Sequence, residues 1–78
     1  MNNRKKYIEI FVNSFQVNEN ELPTLHYQDV NSWDSIGHMK MIAELEETFN
    51  IMIEIADVLD FSSFLKGVDI MKKYGIEI

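Results

Sequence analysis

The chain has 78 residues, enough for one domain (1–78) with a thin hydrophobic core, and 46% of them are hydrophobic, which excludes a disordered polar chain. The 13 acidic against 7 basic side chains leave a formal net charge of −6, which repels nucleic-acid phosphates and favours partners with basic surfaces. Cysteine is absent, so disulfide frameworks and thiolate metal sites are excluded and any thiol chemistry must come from a cofactor.

No apolar run approaches the roughly 18 residues of a membrane span, and the basic N-terminal residues are not followed by a signal-like apolar stretch. A cytoplasmic, monomeric protein without a membrane segment is expected.

In chain order, Asn2 or Asn3 caps a first helix in which Ile8, Phe11, Val12 and Phe15 recur at helical spacing, with Tyr7 alongside. Val17 to Ser32 is rich in Asn, Gln and a proline but keeps Leu22, Leu25, Tyr27 and Val30 as anchors. It reads as a long, tethered loop, which compact domains rarely carry without a reason.

Asn31, Ser32 and Asp34 are helix-start residues, and Ile36 to Phe49 is helical. Met41, Ile42, Leu45 and Phe49 form its inward row, whereas Ile36, Met39 and Ala43 form a second row bordered by Glu46 and Glu47. The partial alternation of residues 50–55 has no partner strand and is not read as sheet.

Ala56 to Phe61 fits a short acidic helix with Val58, Leu59 and Phe61 available to pack. Ser62 or Ser63 caps a last helix that buries Phe64, Leu65, Val68, Met71 and Tyr74 before Gly75 stops it. The expected fold class is all-α.

Ser35 falls in the first turn of the second helix, where unpaired backbone N–H groups and a partial positive charge suit a phosphate ester on its hydroxyl. Taken alone, Asp34-Ser35-Ile36 is also an ordinary helix start. From Trp33 onward, however, Trp-Asp-Ser-Ile-Gly-His-Met-Lys-Met-Ile-Ala-Glu-Leu-Glu-Glu-Thr-Phe, then Ile-Met-Ile-Glu-Ile and Ser-Ser-Phe-Leu-Lys-Gly-Val, resembles the acyl carrier proteins in register and without an internal gap.

That resemblance implies a four-helix bundle of acyl-carrier type, with a long loop between helices 1 and 2 and a short third helix. It implies 4'-phosphopantetheine on Ser35, installed by a phosphopantetheinyl transferase from coenzyme A, with Asp34 placing the hydroxyl. The arm's thiol would carry acyl groups as thioesters to acyl-activating, acyl-transferring or condensing enzymes with basic docking surfaces.

Ile36, Met39, Ala43, Glu46 and Glu47 would be the docking face. Phe15, Met41, Ile42, Leu45, Ile53, Leu59, Phe61, Phe64 and Val68 would surround an interior acyl pocket. Gly37, His38 and Lys40 depart from the acid-rich pattern of the fatty-acid carriers, which favours a specialised biosynthetic pathway. In the residues alone, Gly37 could admit a partner's backbone, and His38 reads as a passive surface residue.

No nucleophile–base pair and no metal-ligand spacing is visible, so the chain is expected to serve enzymes rather than be one. Two other readings stay open: an aminoacyl or peptidyl carrier of a nonribosomal assembly line, and an unmodified helical module that binds proteins through its acidic face.

Overall fold

Three helix starts follow directly from side-chain caps. In a computed structural model, which describes residues 2–78, Asn2 accepts from the Lys5 amide to open α1 (Asn3–Phe15), Asp34 accepts from Gly37 to open α2 (Ser35–Phe49), and Ser63 accepts from Lys66 to open α4 (Phe64–Lys73). The six-residue α3 (Ile55–Asp60) has no side-chain cap, and a helix so short depends on tertiary contacts. The protein is all-α, and residues 51–54 are not strand.

The connection between α1 and α2 is not bare loop. It contains a 3-10 helix, Glu19–Thr24, in which Glu21 accepts from the Asn18 amide at 2.8 Å. Beyond it, the chain is stitched to the α3–α4 junction: the Tyr27 amide donates to the Ser62 carbonyl at 2.8 Å, and the Phe64 amide to the Leu25 carbonyl at 3.1 Å. These flank an isolated antiparallel bridge between His26 and Ser63.

One continuous core joins the elements. Tyr7, Phe11 and Phe15 lie one helical turn apart on α1, and all three are buried with Ile10. Phe11 touches Phe64 edge-on at a centroid separation of 5.1 Å, and Phe15 stacks on Trp33 at 4.6 Å. Burial of the Tyr7 phenol raises its pKa far above the ordinary value, and its hydroxyl donates to the Phe64 carbonyl at 2.7 Å.

The inward face of α4 differs from the sequence expectation. It runs through Phe64, Gly67, Ile70 and Met71, while Leu65 is exposed and Val68 and Tyr74 are half-buried. The face turns through Gly67 because the Phe61 ring and Tyr7 hydroxyl lie against it: a Cβ there would sit 2.3 Å from Phe61 Cζ and 2.2 Å from Tyr7 Oη. Hydrophobic spacing misses this face, since glycine adds no apolar signal.

On α3, Asp57 and Val58 are buried, whereas Leu59 is 80% exposed. Buried carboxylates require partners, and Asp57 has two. The Lys73 ammonium donates to it at 2.9 Å and the Tyr74 hydroxyl at 2.5 Å. The Tyr74 oxygen also accepts from the Glu54 amide at 2.9 Å, so the last turn of α4 holds the first turn of α3.

Candidate functional site

Trp33 anchors the approach to α2. It is fully buried against Phe15, and two residues later the chain emerges at exposed Ser35. The connection is further fixed by Ser32, whose hydroxyl donates to the Phe15 carbonyl at 2.9 Å, and by the Gln28 amide, which donates to the Trp33 carbonyl at 3.0 Å.

Asp34 Oδ1 accepts from the Gly37 amide at 2.8 Å. Asp34, not Ser32, is therefore the cap that positions the first turn. Gly37 has a local role: a Cβ there would lie 2.0 Å from the Ser32 carbonyl oxygen. The loop passes directly over the helix start because that side chain is missing.

His38 is not passive. Its Nδ1 accepts from the Trp33 indole N–H at 2.9 Å, and its Nε2 lies 2.8 Å from the Val58 carbonyl. A carbonyl can only accept and the indole can only donate, so these partners select the neutral tautomer with hydrogen on Nε2. The ring bridges the start of α2 to α3.

Beside Ser35 lies a cleft of about 260 Å³, lined by Tyr27, Ser35, His38, Met39, Val58, Leu59, Phe61 and Ser62. Ser35, His38 and Met39 share one side of α2 by the i, i+3, i+4 rule, which was visible in the sequence. Tyr27 and Ser62 reach it through the pairing of residues 25–27 with 62–64, which local spacing does not reveal.

Of the residues assigned to an interior acyl pocket, Phe61 and Leu59 line this cleft. Leu59 stands at its outer rim rather than in the interior, because Asp57 and Val58 occupy the buried side of α3. Phe15, Met41, Ile42, Leu45, Ile53 and Phe64 are buried within the core, and half-buried Val68 packs against it.

The residues assigned to docking divide into groups. Ile36 and Met39 are 67% and 54% exposed. Ala43 and Glu47 instead line a groove between α1 and α2, with Lys6, Glu9, Lys40 and Glu44 among its other walls. Glu46 is half-buried, and its carboxylate accepts from the Ile53 amide at 2.9 Å. It braces the turn after α2, so it is not a freely presented charge.

Among the described residues, no group of three His, Asp or Glu side chains is placed to hold a metal ion, and no helix is long and apolar enough to cross a membrane. A scan against protein-family models and a search of curated proteins gave no match to this chain.

Proposed function

We propose that the protein is an acyl carrier that bears 4'-phosphopantetheine on Ser35. The observation that carries this reading is an exposed serine hydroxyl in the first turn of α2, on the rim of a largely apolar cleft and held by a buried tryptophan two positions earlier. A helix N-terminus suits the phosphodiester, since its unpaired N–H groups point outward. The arm's thiol supplies the thioester chemistry; the protein positions it.

The arrangement around Ser35 fits attachment in three respects. Asp34 is committed through one carboxylate oxygen to the helix cap, and so holds Ser35 in register. The adjoining residues Ile36 and Met39 offer apolar contact to a partner enzyme, and Glu44 and Glu47 present acids on neighbouring turns. Such charges mainly accelerate encounter with basic partners. A four-helix bundle of acyl-carrier type is the corresponding fold reading, with the 3-10 helix as part of the long first connection.

In the attachment step, the Ser35 oxygen forms a new bond to the β-phosphorus of coenzyme A. The pyrophosphate bond breaks, adenosine 3',5'-bisphosphate leaves, and the serine proton passes to a base of the transferase. The departures at Gly37, His38 and Lys40 support a specialised biosynthetic pathway over bulk fatty-acid synthesis.

The test is incubation with coenzyme A, magnesium and a promiscuous phosphopantetheinyl transferase, followed by intact mass of the protein and of Ser35→Ala. One phosphopantetheinyl increment, absent from the variant, is expected. No increment in folded protein refutes the carrier and favours an unmodified binding module, for which exposed Ile36, Met39 and Leu59 would be the contact surface.

A further inference from the structure

We propose that the group carried on Ser35 is short, an acyl chain of about six carbons or fewer that rests in the surface cleft and does not enter the core. This rests on the carrier reading above. Taking roughly 30 Å³, one water's share of liquid volume, for each non-hydrogen group, the 260 Å³ cleft shelters roughly eight or nine such groups, the thioester included, and carbons beyond them project into solvent.

The floor of the cleft limits the cargo. His38 and Phe61 form it, their rings meeting edge-on with centroids 6.1 Å apart. Phe61 has no room to retreat, because its ring already lies where a single methyl on Gly67 would collide with it. On its inner side it stacks on Phe11 at 6.2 Å.

His38 is held as firmly. Both ring nitrogens are engaged, with Trp33 and Val58, and its ring lies nearly parallel to the Trp33 ring across that hydrogen bond and meets Tyr27 edge-on at 5.5 Å. Swinging it aside to admit a longer chain would strip a partner from the indole N–H and from the Val58 carbonyl together. A long chain gains apolar burial only after both rings have moved, and the dense aromatic layer opposes that movement.

The experiment loads the full chain with coenzyme A thioesters of 2, 4, 6, 8, 12 and 16 carbons through the transferase. Intact mass records attachment, amide NMR shifts record position, and hydroxylamine cleavage records shelter of the thioester. Chains up to about six carbons are expected to shift Tyr27, His38, Met39 and Leu59 and to slow cleavage several-fold relative to the free acyl-pantetheine. With 12 and 16 carbons, the amides of Ile42, Leu45 and Met71 should stay in place and cleavage should return towards the free rate.

Displacement of Ile42, Leu45 and Met71 by the longer chains, with protection greater than at six carbons, overturns the short-cargo inference while leaving the carrier intact. Loading without a cleft shift at any length also overturns it. Absence of any mass increment refutes the carrier reading, and this inference falls with it. The variant Phe61→Leu, which thins the floor and leaves His38 in place, should let the 12-carbon chain reach Ile42; the unaltered chain remains decisive if that variant fails to fold.

Discussion

The indole N–H of Trp33 donates to Nδ1 of His38 at 2.9 Å, and the two rings lie nearly parallel, 15° apart. This contact joins the most deeply buried residue of the long connection to the helix that presents Ser35. Because the far nitrogen of His38 is engaged with Val58, one side chain sets the spacing of three segments.

Replacing His38 with Phe should keep the ring's bulk but leave the indole N–H and the Val58 carbonyl without partners. The expected loss is about 2 kcal/mol, since a half-buried orphan polar group costs about 1–3 kcal/mol. His38→Gln, able to accept and donate in sequence, should recover part of it. Urea unfolding measures the loss, and the indole proton's NMR shift should move in His38→Phe; an unchanged midpoint and shift would contradict the bridge.

Gly67→Ala should destabilise by about 1–3 kcal/mol or more through overpacking. The added methyl meets Tyr7 Oη at 2.2 Å and the Phe61 ring at 2.3 Å, and the contact outweighs the gain of about 1 kcal/mol in helix propensity. Gly37→Ala opposes a backbone carbonyl at 2.0 Å and should also slow modification of Ser35, because the loop carrying Trp33 and Asp34 must shift. Thermal unfolding alongside the transferase rate separates the two sites.

The clasp of α3 makes stability depend on pH at both extremes. Hydrogen bonds from Tyr74 and then Lys73 hold the Asp57 carboxyl below its ordinary value. The unfolded chain therefore takes up this proton first on acidification. The contribution is present above the ordinary value of 3.8 and is lost as pH falls through the lower folded value.

The same clasp raises the pKa of Lys73, first through its hydrogen bond to Asp57, and of Tyr74, again first through Asp57. Their contribution is full below the ordinary values and disappears as pH rises through the folded ones. Asp57→Asn should flatten the acid limb of a stability–pH curve. An acid limb identical to that of the unaltered protein would rule the clasp out as its source.

Glu46 and Glu47 should behave differently although they are neighbours. Glu46→Ala removes the acceptor of the Ile53 amide and should cost about 1–2 kcal/mol. Glu47→Lys, at an exposed position, should change stability by less than about 0.5 kcal/mol. In the carrier reading, Glu47→Lys slows turnover by a basic partner enzyme at low salt, and the difference shrinks as salt screens it. Equal partner kinetics for Glu47→Lys and the unaltered chain at low salt would remove Glu47 from the docking face.

Much of the fold was readable from local rules. Short polar residues ahead of apolar-periodic runs located three helix starts to within a residue or two, and of Asn2 or Asn3, Ser32 or Asp34, and Ser62 or Ser63, the caps are Asn2, Asp34 and Ser63. Burial of Met41, Ile42 and Leu45 followed from helical phase, whereas exposure of Ile36 and Met39 was expected only from the resemblance to the acyl carrier proteins.

What escaped depends on contacts between distant segments. Leu65 and Leu59 were expected inside because they are apolar, but the inward faces of α4 and α3 belong to Gly67 with its aromatic cover and to Asp57 with its two donors. His38 had no partner within its own helix. One partner, Trp33, lies five positions back in the connection, and the other, the Val58 carbonyl, 20 positions ahead; neither separation leaves a trace in the periodicity of α2.

The bond from the Tyr7 hydroxyl to the Phe64 carbonyl joins positions 57 residues apart. During synthesis from the N-terminus, α1 emerges long before its closing partner does. Until α4 follows, Tyr7 and the side of Phe11 that meets Phe64 lack their cover, although Trp33 and Phe61 already meet Phe15 and Phe11, so a nascent chain halted before residue 64 should attract holdase chaperones. Contacts of such long range also slow folding relative to helical proteins built from neighbouring pairs. Completion of the core is thus timed by the arrival of the last helix.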